Sequence, residues 1–232
     1  MTKIKTQLSA ISNTIKEAEK QANKPANSVR LLAVSKTKPA ALIRSSFEAG
    51  QHCFGENYLQ EALTKIAALS DLNIEWHFIG PIQSNKTKDI ATHFDWVQSV
   101  DRLKIAQRLS NQRPTNLNKL NVCIQVNIDN EASKSGIAPD EIIDFAHQLA
   151  LFDNILLRGL MIIPVKTNDT ELQRQSFIRA KKLFTELSAI YPSVDTLSMG
   201  MTADMAIAIR EGSTMVRIGT ALFGQRDSVQ KQ

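Results

Sequence analysis

A lysine at the end of a short apolar run can act as a nucleophilic amine, and the chain places one early. Leu31-Leu32-Ala33-Val34 leads into Ser35-Lys36-Thr37-Lys38-Pro39. Lys36 shares parity with Leu32 and Val34, so on a strand the three point to one face. Partly desolvated there, its amine can lose a proton and attack a carbonyl carbon. An exposed lysine at a strand end is the plainer reading. Lys38 has the same parity, lies one step further into the loop, and competes for the role.

Other segments carry polar groups in comparable places. Phe54-Gly55-Glu56-Asn57-Tyr58 offers Asn57 either as the cap of a helix beginning near Tyr58 or as an amide aimed at a ligand. His77 lies within an apolar stretch and reads first as a packed, hydrogen-bonded histidine. Near the C-terminus, Leu197-Ser198-Met199-Gly200-Met201-Thr202 and Met215-Val216-Arg217-Ile218-Gly219-Thr220 combine small residues with hydroxyls. Ser198, Met201, Thr202, Gly219 and Thr220 suit an anion held by backbone N–H groups, and Thr202 reads as a cap for the helix that follows. Arg217 interrupts an apolar strand. A permanent charge there needs either an ion-pair partner or a ligand atom to receive its hydrogen bond.

These residues need elements to carry them. Apolar positions at Ile4, Leu8, Ile11, Ile15 and Ala18 have helical spacing and predict an amphipathic helix within residues 1–24. Strand-like runs follow near 31–35, 52–55, 75–79, 95–98, 121–127, 157–162, 194–198 and 215–218. Helical segments separate most of them, the one near 85–93 being short. Eight strands alternating with helices imply a parallel sheet, and eight such units can close into a (β/α)8 barrel. No proline- or glycine-rich linker divides the chain, so residues 1–232 read as one domain, with the barrel over 30–224. In such a barrel the working residues lie at the C-terminal ends of the strands. The proposed phosphate-binding residues then follow strands 7 and 8, where barrels often bind phosphate.

Composition narrows the function classes. Of 232 residues, 43% are hydrophobic and 22% charged, which supports a substantial core. The net charge of +5 raises the possibility of a nucleic-acid or protein interaction module. The basic residues are dispersed, which favours a solvated surface instead. No apolar run approaches the roughly 20 residues of a membrane span, and the N-terminus lacks a hydrophobic signal segment. Cys53 and Cys123 fit no metal-ligand spacing and read as buried reduced thiols. The expectation is a soluble cytoplasmic protein without a metal.

Taken together the motifs carry a resemblance. Leu32 to Lys38, Phe54 to Tyr58, Trp76 to Lys86, Leu197 to Asp204 and Val216 to Thr220 resemble the pyridoxal phosphate homeostasis proteins, also called the YggS or PROSC family. The resemblance runs from about Lys3 to Phe223. It implies a TIM barrel of the alanine-racemase N-terminal-domain type with an additional N-terminal helix. It implies pyridoxal 5′-phosphate (PLP) as cofactor, bound as a Schiff base on Lys36. Ser198, Met201, Thr202, Gly219 and Thr220 match its phosphate cup, Arg217 the arginine facing the pyridine nitrogen, and Asn57 a position near the ring. The implied role is to carry or buffer PLP within vitamin B6 homeostasis, without catalytic residues and with apo PLP enzymes as recipients. A small amino-acid racemase of fold type III is the alternative. Racemases of this barrel type carry a further β domain and a second base, whereas this sequence stops at Gln232 soon after the eighth strand. That difference favours the carrier and a monomer.

Overall fold

In the computed structural model, which describes residues 3–131 and 134–225, the apolar spacing of the first helix becomes a buried stripe. Ile4, Leu8, Ile11, Ile15 and Ala18 of α1 (Lys3–Gln21) are all buried. The barrel follows as β1 (Arg30–Val34), α2 (Ala40–Glu48), β2 (Cys53–Glu56), α3 (Leu59–Ala68), β3 (Glu75–Phe78), α4 (Thr87–His93), β4 (Trp96–Val100) and α5 (Leu103–Gln112). It continues through β5 (Leu120–Val126), α6 (Ile142–Leu149), β6 (Ile155–Ile162), α7 (Thr170–Ile190), β7 (Thr196–Ser198), α8 (Met205–Arg210), β8 (Met215–Ile218) and α9 (Thr220–Phe223). Single 3-10 turns precede α4 and α6.

Adjacent strands pair in parallel, and β8 closes on β1, with Leu31 opposite Val216 and Leu32 opposite Arg217. The short segment near residues 85–93 forms the 3-10 turn and α4. The outermost residues, 1–2 and 226–232, lie outside the described residues. Helix α1 packs on α2, α8 and α9, the side where the barrel closes.

The alternation along the strands sorts side chains into two environments. Ala33, Val97, Val122, Leu160, Leu197 and Val216 join the main core between barrel and helices. Their neighbours Leu32, Trp96, Cys123, Met161, Ser198 and Arg217 are equally buried but do not belong to it. Of these, Trp96, Cys123 and Met161 form a small separate cluster. The apolar core is therefore the outer layer, and polar side chains share the inner one.

The loop after β3 makes a close approach that only glycine permits. A Cβ at Gly80 would lie 2.1 Å from the backbone oxygen of Asn57. The Gly80 carbonyl also accepts a hydrogen bond from Ser99 Oγ at 2.6 Å, which pins this crossing to β4. Gly80→Ala must displace one of the two loops. The expected loss is roughly 1–3 kcal/mol of unfolding free energy, the cost of overpacking a tight site. Urea denaturation followed by circular dichroism measures it.

Candidate functional site

At the C-terminal ends of the strands the barrel opens into a cavity of about 520 Å³. Lys36, Asn57, Met201, Thr202, Arg217, Gly219 and Thr220 line it, together with Val34, Ile79, Met161, Ile163 and Ala203. Seven of the eight residues singled out from the sequence are thus brought together from four strand-to-helix loops and one strand.

Ser198 is the exception. It is fully buried and is not among the lining residues. Its Oγ donates to Gln98 Oε1 at 2.7 Å and accepts from Arg217 at 2.8 Å. With its hydroxyl engaged on both sides, Ser198 supports Arg217 from beneath the cavity.

Lys36 is held by a clamp on the residues around it. Ser35 Oγ donates to Glu56 Oε1 at 2.6 Å, while Lys65 Nζ donates to the Ser35 carbonyl at 2.8 Å and to Glu56 at 2.7 Å. Lys65 also pairs with Glu61 at 2.5 Å, and Glu61 accepts the Thr37 backbone N–H at 2.5 Å. Thr37 has φ +63°, an unfavourable conformation for a β-branched residue that needs external fixing. Glu56 is fully buried, and burial pushes its carboxyl above the usual range despite the Lys65 ammonium. The sequence reading missed Glu56, Glu61 and Lys65. Two signals were present: a carboxylate ending an apolar strand, and an i,i+4 Glu–Lys pair on α3.

Lys38 points elsewhere. Its Nζ donates to the Gln225 carbonyl at 2.6 Å, and it lines a separate groove with Pro39, Glu61 and Lys65. Of the two lysines near β1, only Lys36 lines the cavity.

Asn57 is not the predicted helix cap. Tyr58 holds the N-cap position of α3 and makes no side-chain cap bond. Asn57 Oδ1 is buried and has no hydrogen-bond partner among the described residues. An orphan acceptor in a cavity wall marks a place for a ligand donor.

Arg217 is 5% exposed, and among the described residues no carboxylate contacts it, so of the two readings the ion pair is not the one seen there. Its NH1 donates to the Ser198 carbonyl and Oγ, and its NH2 to the Ile162 carbonyl at 2.8 Å. Burial lowers its pKa to about 10, which leaves it protonated at neutral pH. Nε–H and the second NH2 hydrogen find no acceptor among the described residues, and Arg217 lines the cavity.

The loop after β7 is closed by Asp204, not capped by Thr202. Asp204 is the N-cap residue of α8, and its carboxylate accepts from the Met201 backbone N–H at 2.5 Å and from Gln173 at 3.1 Å. Thr202 is left exposed at the rim. Gly200 has φ +96°, and a Cβ there would lie 2.6 Å from Ala208 Cβ, so this turn needs glycine. The backbone N–H groups of Thr202, Gly219 and Thr220 have no acceptor among the described residues.

A second cavity, of about 480 Å³, lies at the opposite mouth and includes Arg30, Cys53 and Glu75. Donor atoms of Cys53, Glu75 and His77 lie within 4.8 Å of one another there, a spacing that would suit a metal. Arg30 donates to both Cys53 Sγ, at 2.9 Å, and Glu75, at 2.6 Å, so a guanidinium cation already takes that place. Cys53 is only partly buried, contrary to expectation, whereas Cys123 is fully buried and its thiol is pushed up to about 12. No helix among the described residues is long and apolar enough to cross a membrane.

Known proteins share this architecture. The family model for the alanine racemase N-terminal domain matches residues 6–227. A pyridoxal phosphate homeostasis protein of Pseudomonas aeruginosa is 55% identical over 227 residues, covering 98% of this chain and 97% of that protein. One from Escherichia coli K12 is 47% identical over 234 residues, the full length of both. PipY of Synechococcus elongatus, in a structure with PLP bound, has a TM-score of 0.81 and 36% identity, covering 96% of this chain and 100% of that one. Alanine racemase of Clostridium difficile has a TM-score of 0.77 at 14% identity, and 57% of its chain is covered, which is a likeness of fold.

The clamp makes a prediction. Lys65→Met strands the buried Glu56 carboxylate and should cost about 3–5 kcal/mol. Adding Glu56→Gln to that variant should recover much of the loss. Chemical denaturation of the single and double variants checks both.

Proposed function

Because the chain belongs to the pyridoxal phosphate homeostasis proteins, built on the alanine racemase N-terminal domain, we propose that it binds PLP in the cavity at the C-terminal mouth and carries or buffers it in vitamin B6 homeostasis. The observation that supports this most directly is the donor and acceptor set of the cavity. It offers an amine at Lys36, an orphan acceptor at Asn57 Oδ1, uncommitted N–H groups on Arg217 and open backbone donors at Thr202, Gly219 and Thr220. PLP has matching features: an aldehyde for the amine, a ring nitrogen and a phosphate that accept from the guanidinium and the backbone N–H groups, and a phenolate that would accept from the Asn57 amide once its NH2 is turned toward the ring.

When bound, PLP supplies an aldehyde that condenses with a primary amine, releasing water. Lys36 is the amine in our reading. The clamp of Glu56, Glu61 and Lys65 fixes the turn that presents it. Thr202, Gly219 and Thr220 hold the phosphate with Met201 at the rim, since backbone N–H groups recognise anions without a large side chain. Ser198 acts on this site through Arg217. Arg217 keeps its own charge and faces the ring nitrogen, where a fixed cation disfavours protonation. That arrangement weakens the ring as an electron sink.

The carrier role is supported by the names of the relatives; a racemase would have to bring a second proton-transfer group to this cavity. Lys36 and Arg217 are the only titratable side chains among the described lining residues. Racemisation needs two proton-transfer groups on opposite faces of a substrate. Tyr191, one of two tyrosines, is bonded to His147 at 2.7 Å beyond the end of α7. Apo PLP enzymes in the cytoplasm are the proposed recipients, with the chain acting as a monomer.

Three measurements test this. Lys36→Ala should abolish the visible absorbance that the protein retains after incubation with PLP and removal of the unbound vitamer, while Lys38→Ala should keep it; the reverse result would move the anchor to Lys38. Arg217→Glu should release PLP far more readily on dialysis. Exchange of the α-hydrogen of alanine by the PLP-loaded protein at ordinary enzymatic rates would replace the carrier with a racemase.

A further inference from the structure

The barrel interior holds a continuous hydrogen-bonded chain that the cofactor reading does not use. It begins at Arg217 in the upper cavity and passes to Ser198 Oγ, 2.8 Å away. Ser198 Oγ donates to Gln98 Oε1 at 2.7 Å. Gln98 Nε2 is 2.9 Å from His77 Nδ1, and His77 Nε2 is 2.6 Å from Glu75 Oε1. Glu75 ends the chain at the opposite mouth, where Arg30 donates to the same oxygen at 2.6 Å. Gln98, His77 and Ser198 are wholly buried, so water replaces none of these partners. His77 is further fixed by stacking on Trp96, with ring centroids 5.1 Å apart and planes 12° apart.

With the Gln98 amide as placed, the donors and acceptors run in one direction. An arginine has no acceptor, so Ser198 Oγ must accept from Arg217 and turn its own hydrogen to Gln98. Gln98 then receives through its oxygen and donates through its nitrogen. His77 must accept at Nδ1, which makes Nε2 the protonated nitrogen, and that proton meets a carboxylate. Every link places its negative end toward the Arg217 cation and its positive end toward the Glu75 anion. A flipped Gln98 amide would instead require a proton on His77 Nδ1 and would leave the Ser198 hydroxyl hydrogen without Gln98 as its acceptor. Aligned bonds of this kind polarise one another in a dry interior.

We propose that Gln98, His77 and Glu75 are positioning residues for Arg217, so that the carboxylate at the far mouth of the barrel sets the orientation and field of the cation facing the ligand. The proposal rests on the PLP reading for its ligand, but the chain itself exists without PLP. Lost links would free Arg217 to change partners with the Ser198 and Ile162 carbonyls, and its uncommitted N–H groups would no longer be aimed.

The test uses full-length protein in two arms. In the apo protein, ¹⁵N NMR of the His77 imidazole should show Nε2 protonated and Nδ1 bare. A protonated Nδ1 would overturn the chain whatever the cavity binds. In the PLP-loaded protein, Gln98→Leu should shift the visible absorbance maximum and weaken PLP retention roughly tenfold, the scale of one hydrogen bond in a network ending on a charged group. Glu75→Gln keeps an acceptor but removes the charge at a partly exposed position, and should shift the spectrum in the same direction by less. If Gln98→Leu fails to fold, Glu75→Gln decides. Folded variants with unchanged spectrum and retention would overturn the proposal. Wild-type protein that takes up no PLP would instead defeat the cofactor reading, a result distinct from either.

Discussion

A guanidinium buried in a barrel, with no carboxylate in contact among the described residues, is the constraint around which this interior is organised. Removing such a charge from water is costly, and acceptors must replace the lost hydration. Arg217 receives two backbone carbonyls and one hydroxyl. The hydroxyl then needs an acceptor of its own, and that requirement passes to Gln98, His77 and Glu75. The polar inner layer is the consequence. It displaces the apolar core outward, between strands and helices, where Ala33, Val97, Val122, Leu160 and Leu197 pack. His77 fits the same logic: burial holds its pKa down, while the hydrogen bonds that Glu75 accepts from His77 and Arg30 outweigh its own burial and hold its carboxyl below the usual range.

The opposite end of the cavity wall is built differently. Around Lys36 the stabilising charges lie outside the barrel, in the Glu56, Glu61 and Lys65 clamp between β2, α3 and the loop after β1. That clamp fixes a backbone turn; the chain below Arg217 fixes a side chain. Asn57 joins the two regions, because its backbone oxygen is pressed against Gly80 while its amide oxygen faces no protein donor. A ligand spanning Lys36 and Arg217 would lie beside the Asn57 amide and meet the uncommitted donors.

The sequence by itself determined the framework. Period-two and helical patterns, cut by turn residues, specify eight strand–helix units, because local burial requirements repeat along the chain. It also pointed to the segments that line the cavity: Lys36, Asn57 and the two small-residue loops follow strand ends and Arg217 lies in the last strand, and a parallel barrel gathers these at one mouth. Tertiary structure decided how each residue is used. Asn57 lost its cap role to an orphan acceptor, Thr202 lost its cap to Asp204, and Ser198 moved from the cavity wall to the support of Arg217. Lys36 and Lys38 were indistinguishable by parity until the fold gave Lys38 the Gln225 carbonyl. Such assignments depend on partners as far as 187 residues away. A hydrogen bond is settled by which donor and acceptor meet within about 3 Å, and no local pattern carries that information.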